Sequence, residues 1–448
     1  MQPDTTLASA AHDGHDSHPA HFASDDAAAN AVFKRAAWRF IPLLFVSYVV
    51  AYLDRVNIGF AKLQMLSDLQ FSDAVYGFGA GLFFLGYFLF EVPSNLLLHQ
   101  LGARRWIARI MITWGVLSAA TAWVDSPMMF YVIRFLLGVA EAGFFPGVIL
   151  YLTYWFPSHR RGRMTALFMA GNPVSGIVGA PLSGYIMYAF GGTLGMSGWR
   201  WLFILEAIPA VILSVMIYYY LDDRVADVKW LNAEEKNLIR SEIYHDAKVR
   251  THSSVTSVML SPRVWLLCLI LFGMIMGSYA IGFWLPTIIR SAGIADPFHI
   301  GLLAMIPYTA ALISMLLASR SADHFRERRW HVSVPALVAV AGFCICAMSE
   351  NQIVPAIFGL SLGAMGVVTA VAMFWALPTA FLGGAGAAAG IALINCTGNL
   401  AGFVSPAVIG WLKTQTHSVS SGLFFVAAML GLSAVLVLSF IPAKVVNR

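Results

Sequence analysis

The sequence predicts an all-α membrane protein of twelve transmembrane helices in two six-helix halves. Three observations carry that prediction. First, 59% of the 448 residues are apolar and only 11% are charged, with a mean hydropathy of +0.73, whereas soluble domains carry about 25% charged residues. Second, apolar segments recur at about 40–60, 76–98, 106–124, 128–150, 165–190 and 200–221. After a polar stretch from Asp222 to Pro262 they recur at about 264–289, 298–319, 331–349, 353–377, 386–412 and 421–441. Each is close to the ~20 residues that span a bilayer. Third, the basic residues are unevenly shared. With the N-terminus placed inside, 22 of the 28 Lys and Arg fall in inner loops, linker and tails. Four (Lys62, Arg200, Arg290, Lys413) fall outside, and two (Arg55, Arg134) lie within the membrane. Basic short loops stay cytosolic, so both termini and the linker are expected in the cytosol of a bacterial-type inner membrane. The net charge of +5 then reflects topology, not nucleic-acid binding.

Taken in order, residues 1–33 are polar, Ala-rich and without apolar periodicity. They lack the basic start and apolar centre of a signal peptide and are expected to be disordered. His12, His15, His18 and His21 recur every third residue. Metal capture is one reading, and a solvated low-complexity tail is the one adopted. Residues 34–221 form the N-terminal bundle and 263–448 the C-terminal bundle. The linker, 222–262, holds a short amphipathic helix from Asn232, placed as its N-cap, to Ile243. The four cysteines (Cys268, Cys344, Cys346, Cys396) all sit in apolar runs, with neither a disulfide framework nor a zinc spacing. No metal and no cofactor beyond a coupling proton is expected, and a monomer suffices. The halves resemble each other in their short basic turns, Gly102-Ala-Arg104-Arg105-Trp106 and Asp323-His-Phe-Arg-Glu-Arg328-Arg329-Trp330. Duplicated halves are a transporter signature.

The informative residues are the charges inside the membrane. Asp54 and Arg55 stand together in an apolar run, and each costs roughly 2.5–3.5 kcal/mol at a helix centre on lenient insertion scales. Such residues face protein or a water-filled cavity: either a buried pair holding two helices together, or a substrate and proton site. In helix four, Arg134, Gly138 and Glu141 share one face, and Gly138 leaves room for a close neighbour. If helix one ends near Phe60, Arg55 and Arg134 lie at the same depth, with Glu141 about 10 Å deeper. The spacing therefore predicts that Asp54 pairs with Arg134, that Glu141 titrates near the midplane, and that Arg55 is free to meet an anionic substrate. Burial and a neighbouring arginine act in opposite senses on a carboxyl's proton affinity, which suits a group that takes and gives a proton. Tyr52 shares a stripe with Arg55, where it either offers its hydroxyl or packs. Glu91, before Pro93-Ser94-Asn95, and Glu206, after Trp199-Arg200-Trp201, read as gating or structural contacts. The second half offers neutral groups instead: Trp375, Thr379, Asn395, Thr397 and Asn399. Asn395 and Asn399 share a helix face, suited to a polyol or phenolic part of a substrate or to interhelical hydrogen bonds. The small-residue seam Gly176 to Gly184 permits close packing and flexing, and its resemblance to a stretch in drug exporters of related architecture weakly favours exchange.

These motifs resemble the major facilitator superfamily, and within it the anion:cation symporter family. The resemblance rests on Tyr52-Leu-Asp54-Arg55-Val-Asn57-Ile-Gly59-Phe-Ala61, Pro93-Ser94-Asn95, Gly102-Ala-Arg104-Arg105-Trp106, Arg134-Phe-Leu-Leu-Gly138-Val-Ala-Glu141-Ala-Gly143-Phe-Phe-Pro146-Gly147, Trp199-Arg-Trp-Leu-Phe-Ile-Leu-Glu206 and Gly390-Ile-Ala-Leu-Ile-Asn395-Cys-Thr-Gly398-Asn399. It covers about Val32 to the end. It implies the major facilitator fold and proton-coupled uptake of organic anions. It further implies that Asp54 and Glu141 are the proton-linked acids, and that Arg55, Tyr52, Trp375, Asn395 and Asn172 meet the substrate. One departure is His99, where the superfamily signature has an aspartate three residues before the glycine; Asp323 keeps the acid in the second half. The stretches Tyr151 to Pro157, Ser319 to Asp323 and Phe374-Trp375 are similar to hydroxyphenylacetate and tartrate permeases.

The expected function is proton symport of a small carboxylate. Arg55 would bind the carboxylate, Asp54 and Glu141 carry the proton, and Arg134 hold the ion pair. Asn399 would join Asn395 at the substrate. Glu91, Arg104, Arg105, Asp323, Arg328 and Arg329 would gate. The partners are a small organic anion, protons and the lipid bilayer. The alternatives are an anion exchanger or drug exporter of the same fold, a nontransporting receptor, or a membrane enzyme. For the last, the sequence offers no His-Glu zinc spacing, Gly-flanked serine or Cys-His candidate at membrane depth.

Overall fold

The computed structural model describes residues 19–248, 260–349, 352–381 and 384–446, and among them every regular element is helical. The leading helices are α1 (Pro19–Val56), α2 (Ile58–Leu69), α3 (Asp73–Leu101), α4 (Ala103–Ala120), α5 (Pro127–Glu141), α6 (Phe144–Trp155), α7 (Ser158–Met169), α8 (Gly171–Ala189) and α9 (Gly198–Tyr220). The connecting helix α10 spans Ala233–Lys248. The trailing helices are α11 (Pro262–Ser291), α12 (Pro297–Phe325), α13 (Arg329–Ala347), α14 (Ile353–Phe374), α15 (Ala376–Phe381), α16 (Gly384–Thr416), α17 (Ser420–Phe440) and α18 (Ala443–Val446).

Ten helical runs among the described residues are long and apolar enough to cross a membrane. Two expected segments, 106–124 and 165–190, correspond to α4 and to the end of α7 with α8, and neither reaches that measure. The first turns of α4 carry Arg104, Arg105 and Arg109, and α8 carries Asn172 and four glycines. Both nevertheless pack among the apolar helices, α4 against α9 and α8 against α12.

Two boundaries differ from those expected. Helix α1 begins at Pro19, well inside the stretch expected as a disordered tail, and Ala29, Val32 and Phe33 are buried. Phe33 packs on Phe156, and Arg160 lies over the Phe33 ring while donating to Asn30 Oδ1 at 2.6 Å. The polar composition concealed an apolar stripe that neighbouring helices cover. His12, His15 and His18 lie outside the described residues. At its other end, the first span does not stop near Phe60. The turn at Asn57 keeps right-handed helical angles, and α2 carries the run on to Leu69.

The fourth apolar segment is also interrupted. α5 ends at Glu141, and Gly143, at φ +88°, starts α6. Glycine adopts that backbone without a Cβ clash. The break puts Glu141 at the C-terminal, negative end of the α5 dipole, where a carboxylate needs a nearby cation.

The linker helix is tied at its start by a capping box. Asn232 Oδ1 accepts from the Glu235 N–H at 2.8 Å, and Glu235 Oε2 accepts from the Asn232 N–H at 3.0 Å. The Asn232 N–H, with Arg35 beside it, holds the Glu235 carboxyl below its ordinary range. Arg35–Glu235 and Arg39–Asp222 (3.2 Å) fasten this segment to α1.

Leading and trailing helices meet along α3–α16 and α8–α12. The closest approaches cluster near the end that bears the Leu69–Asp73 turn, here the far end, opposite the basic loops. There Gly77 abuts the Pro406 and Gly410 backbones, and Gly184 abuts Pro297 and Gly301. Toward the basic end, Val92, Leu96 and Leu97 of α3 are exposed. Within the leading helices, α3 and α5 touch backbone to backbone. A Cβ on Gly138 would strike the Phe83 carbonyl and stand 3.0 Å from the Tyr87 nitrogen. Gly138→Val is therefore expected to lower stability by about 1–3 kcal/mol, the usual cost of overpacking. Thermal unfolding in detergent checks this, and an unchanged midpoint would show that this contact does not lock α3 to α5.

Candidate functional site

The depth of each charge follows from the corrected helix ends. Arg55 lies fourteen residues before the end of α2 at Leu69, and Glu141 lies fourteen residues after the start of α5 at Pro127. At 1.5 Å per residue both are about 21 Å along their spans. They meet: Arg55 Nη2 is ion-paired with Glu141 Oε1, with side chains 12% and 3% exposed. The expectation that Arg55 is free and that Asp54 pairs with Arg134 is thus corrected. It failed because ending helix one at Phe60 placed Arg55 one full stretch too shallow.

Asp54, buried on the next stripe of α1, accepts from Ser118 Oγ of α4 and, at 3.1 Å, from Asn57 Nδ2. Arg134 is fully buried. Among the described residues its one hydrogen bond is a long 3.5 Å contact to the Ala80 carbonyl, its guanidinium lies 5.1 Å from the Phe83 ring, and Nε and Nη1 have no hydrogen-bond partner. The ring face supplies part of what an anion would.

Around Arg55 the rings of Phe83, Tyr87, Tyr52 and Phe84 stand at 5.3, 5.3, 5.8 and 6.0 Å. Tyr279, from trailing helix α11, also faces the guanidinium and packs tilted against Phe84 with ring centroids 4.3 Å apart. Among the described residues Arg55 Nε has no hydrogen-bond partner. Asn172, in the first turn of α8, faces Tyr48 and Tyr52. The residues expected at the substrate on the leading side, Tyr52, Arg55 and Asn172, are therefore brought together.

On the trailing side, Cys396 Sγ donates to Glu91 Oε2 at 3.5 Å, and the Asn395 and Asn399 amides face the same carboxyl. Glu91, expected as a gate, therefore stands with the asparagines expected at the substrate, joining α3 to α16. Trp375 caps α14 and packs on Phe374, ring centroids 5.6 Å apart.

The basic loops form local contacts. Asp323 pairs with Arg328 at 2.6 Å, Arg329 donates to the Leu438 carbonyl, and Arg105 is exposed. The Arg104 N–H donates to Asp223 Oδ1 at 2.8 Å, and the Asp223 carboxylate covers Gly102. The acid at this turn thus comes from 119 residues downstream of Arg104, while His99 is exposed.

A second ionic group, at the far end, was not read from the sequence. Lys62, expected outside, is buried. Its Nζ stands 2.7 Å from Asp73 Oδ1, off the hydrogen-bonding direction, and 3.3 Å from the Trp284 ring centre. Lys413 of α16 holds the other Asp73 oxygen at 3.0 Å. Asp73 therefore joins α2, α3 and α16. Only continuation of the first helix past Phe60 would have signalled this. Asp73→Asn leaves Lys62 buried with aromatic faces to compensate it. It should weaken the far-end closure by about 3 kcal/mol, the scale of a broken buried pair. Labelling of Pro406→Cys by an impermeant thiol reagent should then rise, and Lys62→Met in the same chain should reverse part of the rise. Equal labelling with and without Asp73→Asn would dismiss this group as a latch.

The comparisons agree with this architecture. The Major Facilitator Superfamily profile matches residues 44–406. A chain from Pseudomonas putida named as metabolite transport protein NicT is 47% identical over 426 residues, covering 94% of this chain and 97% of that one. One from Agrobacterium vitis named for tartrate transport is 46% identical, covering 91% and 90%. The crystal structure of a D-xylose-proton symporter superposes with a TM-score of 0.73 at 16% identity, covering 91% of this chain and 98% of that one, which speaks to fold alone. The chain is a multi-pass membrane transporter that belongs to the Major Facilitator Superfamily, in its anion:cation symporter group.

Proposed function

We propose that this protein imports a small organic anion together with protons, by alternating access. The observation that carries the reading is the Arg55–Glu141 ion pair, held where leading and trailing helices face each other. One guanidinium serves one carboxylate well. A substrate carboxylate reaching Arg55 must displace Glu141, and a displaced, buried, unpaired Glu141 is costly unless it takes a proton. Anion and proton then bind together. Asp54 is the second proton site, compensated by Ser118 and Asn57, and Arg134 is a cation available to it in another conformation. The aromatic faces around Arg55 suit an apolar or aromatic body. Glu91 and the Asn395 and Asn399 amides suit hydroxyls, and Trp375 lies on the same side.

In this reading the chain forms twelve spans in two bundles joined by the linker, in a bacterial-type inner membrane with the basic end in the cytosol. The structure then corresponds to a state sealed outside. The closure around Asp73 is the outer gate, and Arg104, Arg105, Asp323, Arg328 and Arg329 form the inner gate when the basic end closes. The protein works as a monomer with the proton as its only cofactor.

Purified protein in liposomes with a trapped pH dye tests the reading. Sugar acids, tartrate-like diacids and aromatic carboxylates are added outside. A subset should acidify the lumen, and Glu141→Gln and Asp54→Asn should each abolish this while leaving the melting temperature near that of the parent. Normal proton-driven accumulation in both variants would end the coupling assignment. Arg55→Ala should lose binding, so retained binding would remove Arg55 as the anion clamp. Silence of the whole panel would instead turn the reading to exchange or export.

A further inference from the structure

Glu206 lies eight residues into α9, and it is buried with 2% exposure. Its Oε1 accepts from Ser183 Oγ of α8 at 2.6 Å, and its other oxygen, Oε2, is buried without a hydrogen-bond partner among the described residues. The neighbouring polar side chain is Asn57, at the turn between α1 and α2. Its amide lies beside Glu206, and its Nδ2 donates to Asp54 Oδ1 at 3.1 Å. Asn57 Oδ1 is also buried and without a partner. Among the described residues, two neighbouring side chains thus each leave one acceptor unsatisfied, and a buried acceptor left without a donor carries its full desolvation penalty.

The charged and titratable surroundings point the same way. From α8 comes neutral Ser183, from the α1–α2 turn neutral Asn57, and from α1 the acid Asp54, with Ser118 of α4 behind it. The basic residue on Glu206's own helix, Arg200, is turned to the Ala122 carbonyl. Among the described residues, Glu206 faces a like charge and no cation. A carboxylate in that position has nothing to compensate it, whereas a carboxylic acid has the one thing the neighbourhood lacks, a donor.

We propose that Glu206 is a neutral acid that donates its proton to Asn57 Oδ1, and that it is a positioning residue for Asp54. The bond fixes which way the Asn57 amide points. With Oδ1 occupied by Glu206, Nδ2 is presented to Asp54. Without it, the amide can turn its oxygen toward Asp54, and that carboxyl then keeps its proton. The protonation of Glu206 stands on its own observations, while its consequence for Asp54 rests on the proton-coupled reading above.

The first test is infrared difference spectroscopy of the full-length protein at neutral pH, which needs neither substrate nor transport. Glu206→Gln should remove a carbonyl stretch of a protonated carboxylic acid, and if no such band is lost the proposal is overturned. The second test is transport. The amide introduced by Glu206→Gln can still donate to Asn57, and its oxygen can still accept from Ser183, so this variant should keep the parent rate and pH midpoint. Glu206→Leu should slow uptake about 10-fold or more, as misplacement of a working group does, and should shift the pH midpoint. A slower Glu206→Leu with the parent's midpoint, or a Glu206→Gln as impaired as Glu206→Leu, would reduce Glu206 to a packing residue. Failure of the infrared arm is separate from failure of wild-type transport, which would count against the proposed function instead.

Discussion

The structure depends on one constraint: a charge in hydrocarbon must be compensated by something fixed in the protein. Arg55 and Glu141 meet it together, and both helices are shaped around that meeting. α1 ends at Val56, one residue after Arg55, and α5 ends at Glu141 itself. An anion at a helix C-terminus is unfavourable, so Arg55 compensates both the α5 terminus and the Glu141 carboxylate. Arg134 is compensated more weakly, by an aromatic face and a long carbonyl contact. A group so placed gains from any rearrangement that brings Asp54 closer. That gives an arrangement with one well-made pair, Arg55–Glu141, and one unmade pair, Arg134 and Asp54.

The same logic operates at the far end with different materials. Lys62 compensates its burial by Asp73 and the face of Trp284, while Lys413 reaches Asp73 from the other side. These residues come from α2, α3, α11 and α16, so the contact exists only while leading and trailing helices are together there. Backbone contact without side chains, at Gly77 against Gly410 and Gly184 against Gly301, closes the rest of that end. Small-residue contact is tight in place yet holds no interlocked side chains that would oppose separation.

The sequence told the class of protein well because hydrophobic length and basic-loop asymmetry are local quantities. It also told which residues carry charge into the membrane, since Asp54, Arg55, Arg134 and Glu141 stand out against apolar neighbours. It did not tell which partners they take. Pairing depends on depth, and depth depends on where a helix ends. Lys62, Gln64 and Asp68 look like a loop, but they belong to α2 because Asp73 and Trp284 absorb the lysine, while Trp199 binds Gln64 and Asp68. That single misplaced end shifted Arg55 away from Glu141 and left Asp54 to be matched with Arg134. Likewise, Tyr279 and Ser118 carry no sequence mark at all, since a tyrosine or serine in an apolar helix is most often packing.

Asp54 differs from Glu141 in the kind of compensation it has, and this bears on why two acids are present. Glu141 is held by a full charge, so in the proposed cycle its hold on a proton would change abruptly when Arg55 leaves. Asp54 is held by a hydroxyl and an amide, both neutral and both able to reorient, so its affinity is graded by geometry. Ser118 belongs to α4 and Asn57 to the turn at α2, which means that small shifts between those helices alter Asp54 before any ion pair breaks. An acid answering to substrate and an acid answering to helix position are separate inputs. If the protein moves its cargo only when both proton and anion are aboard, as proposed above, its conformational change must sense each of them, and the two acids would provide that division.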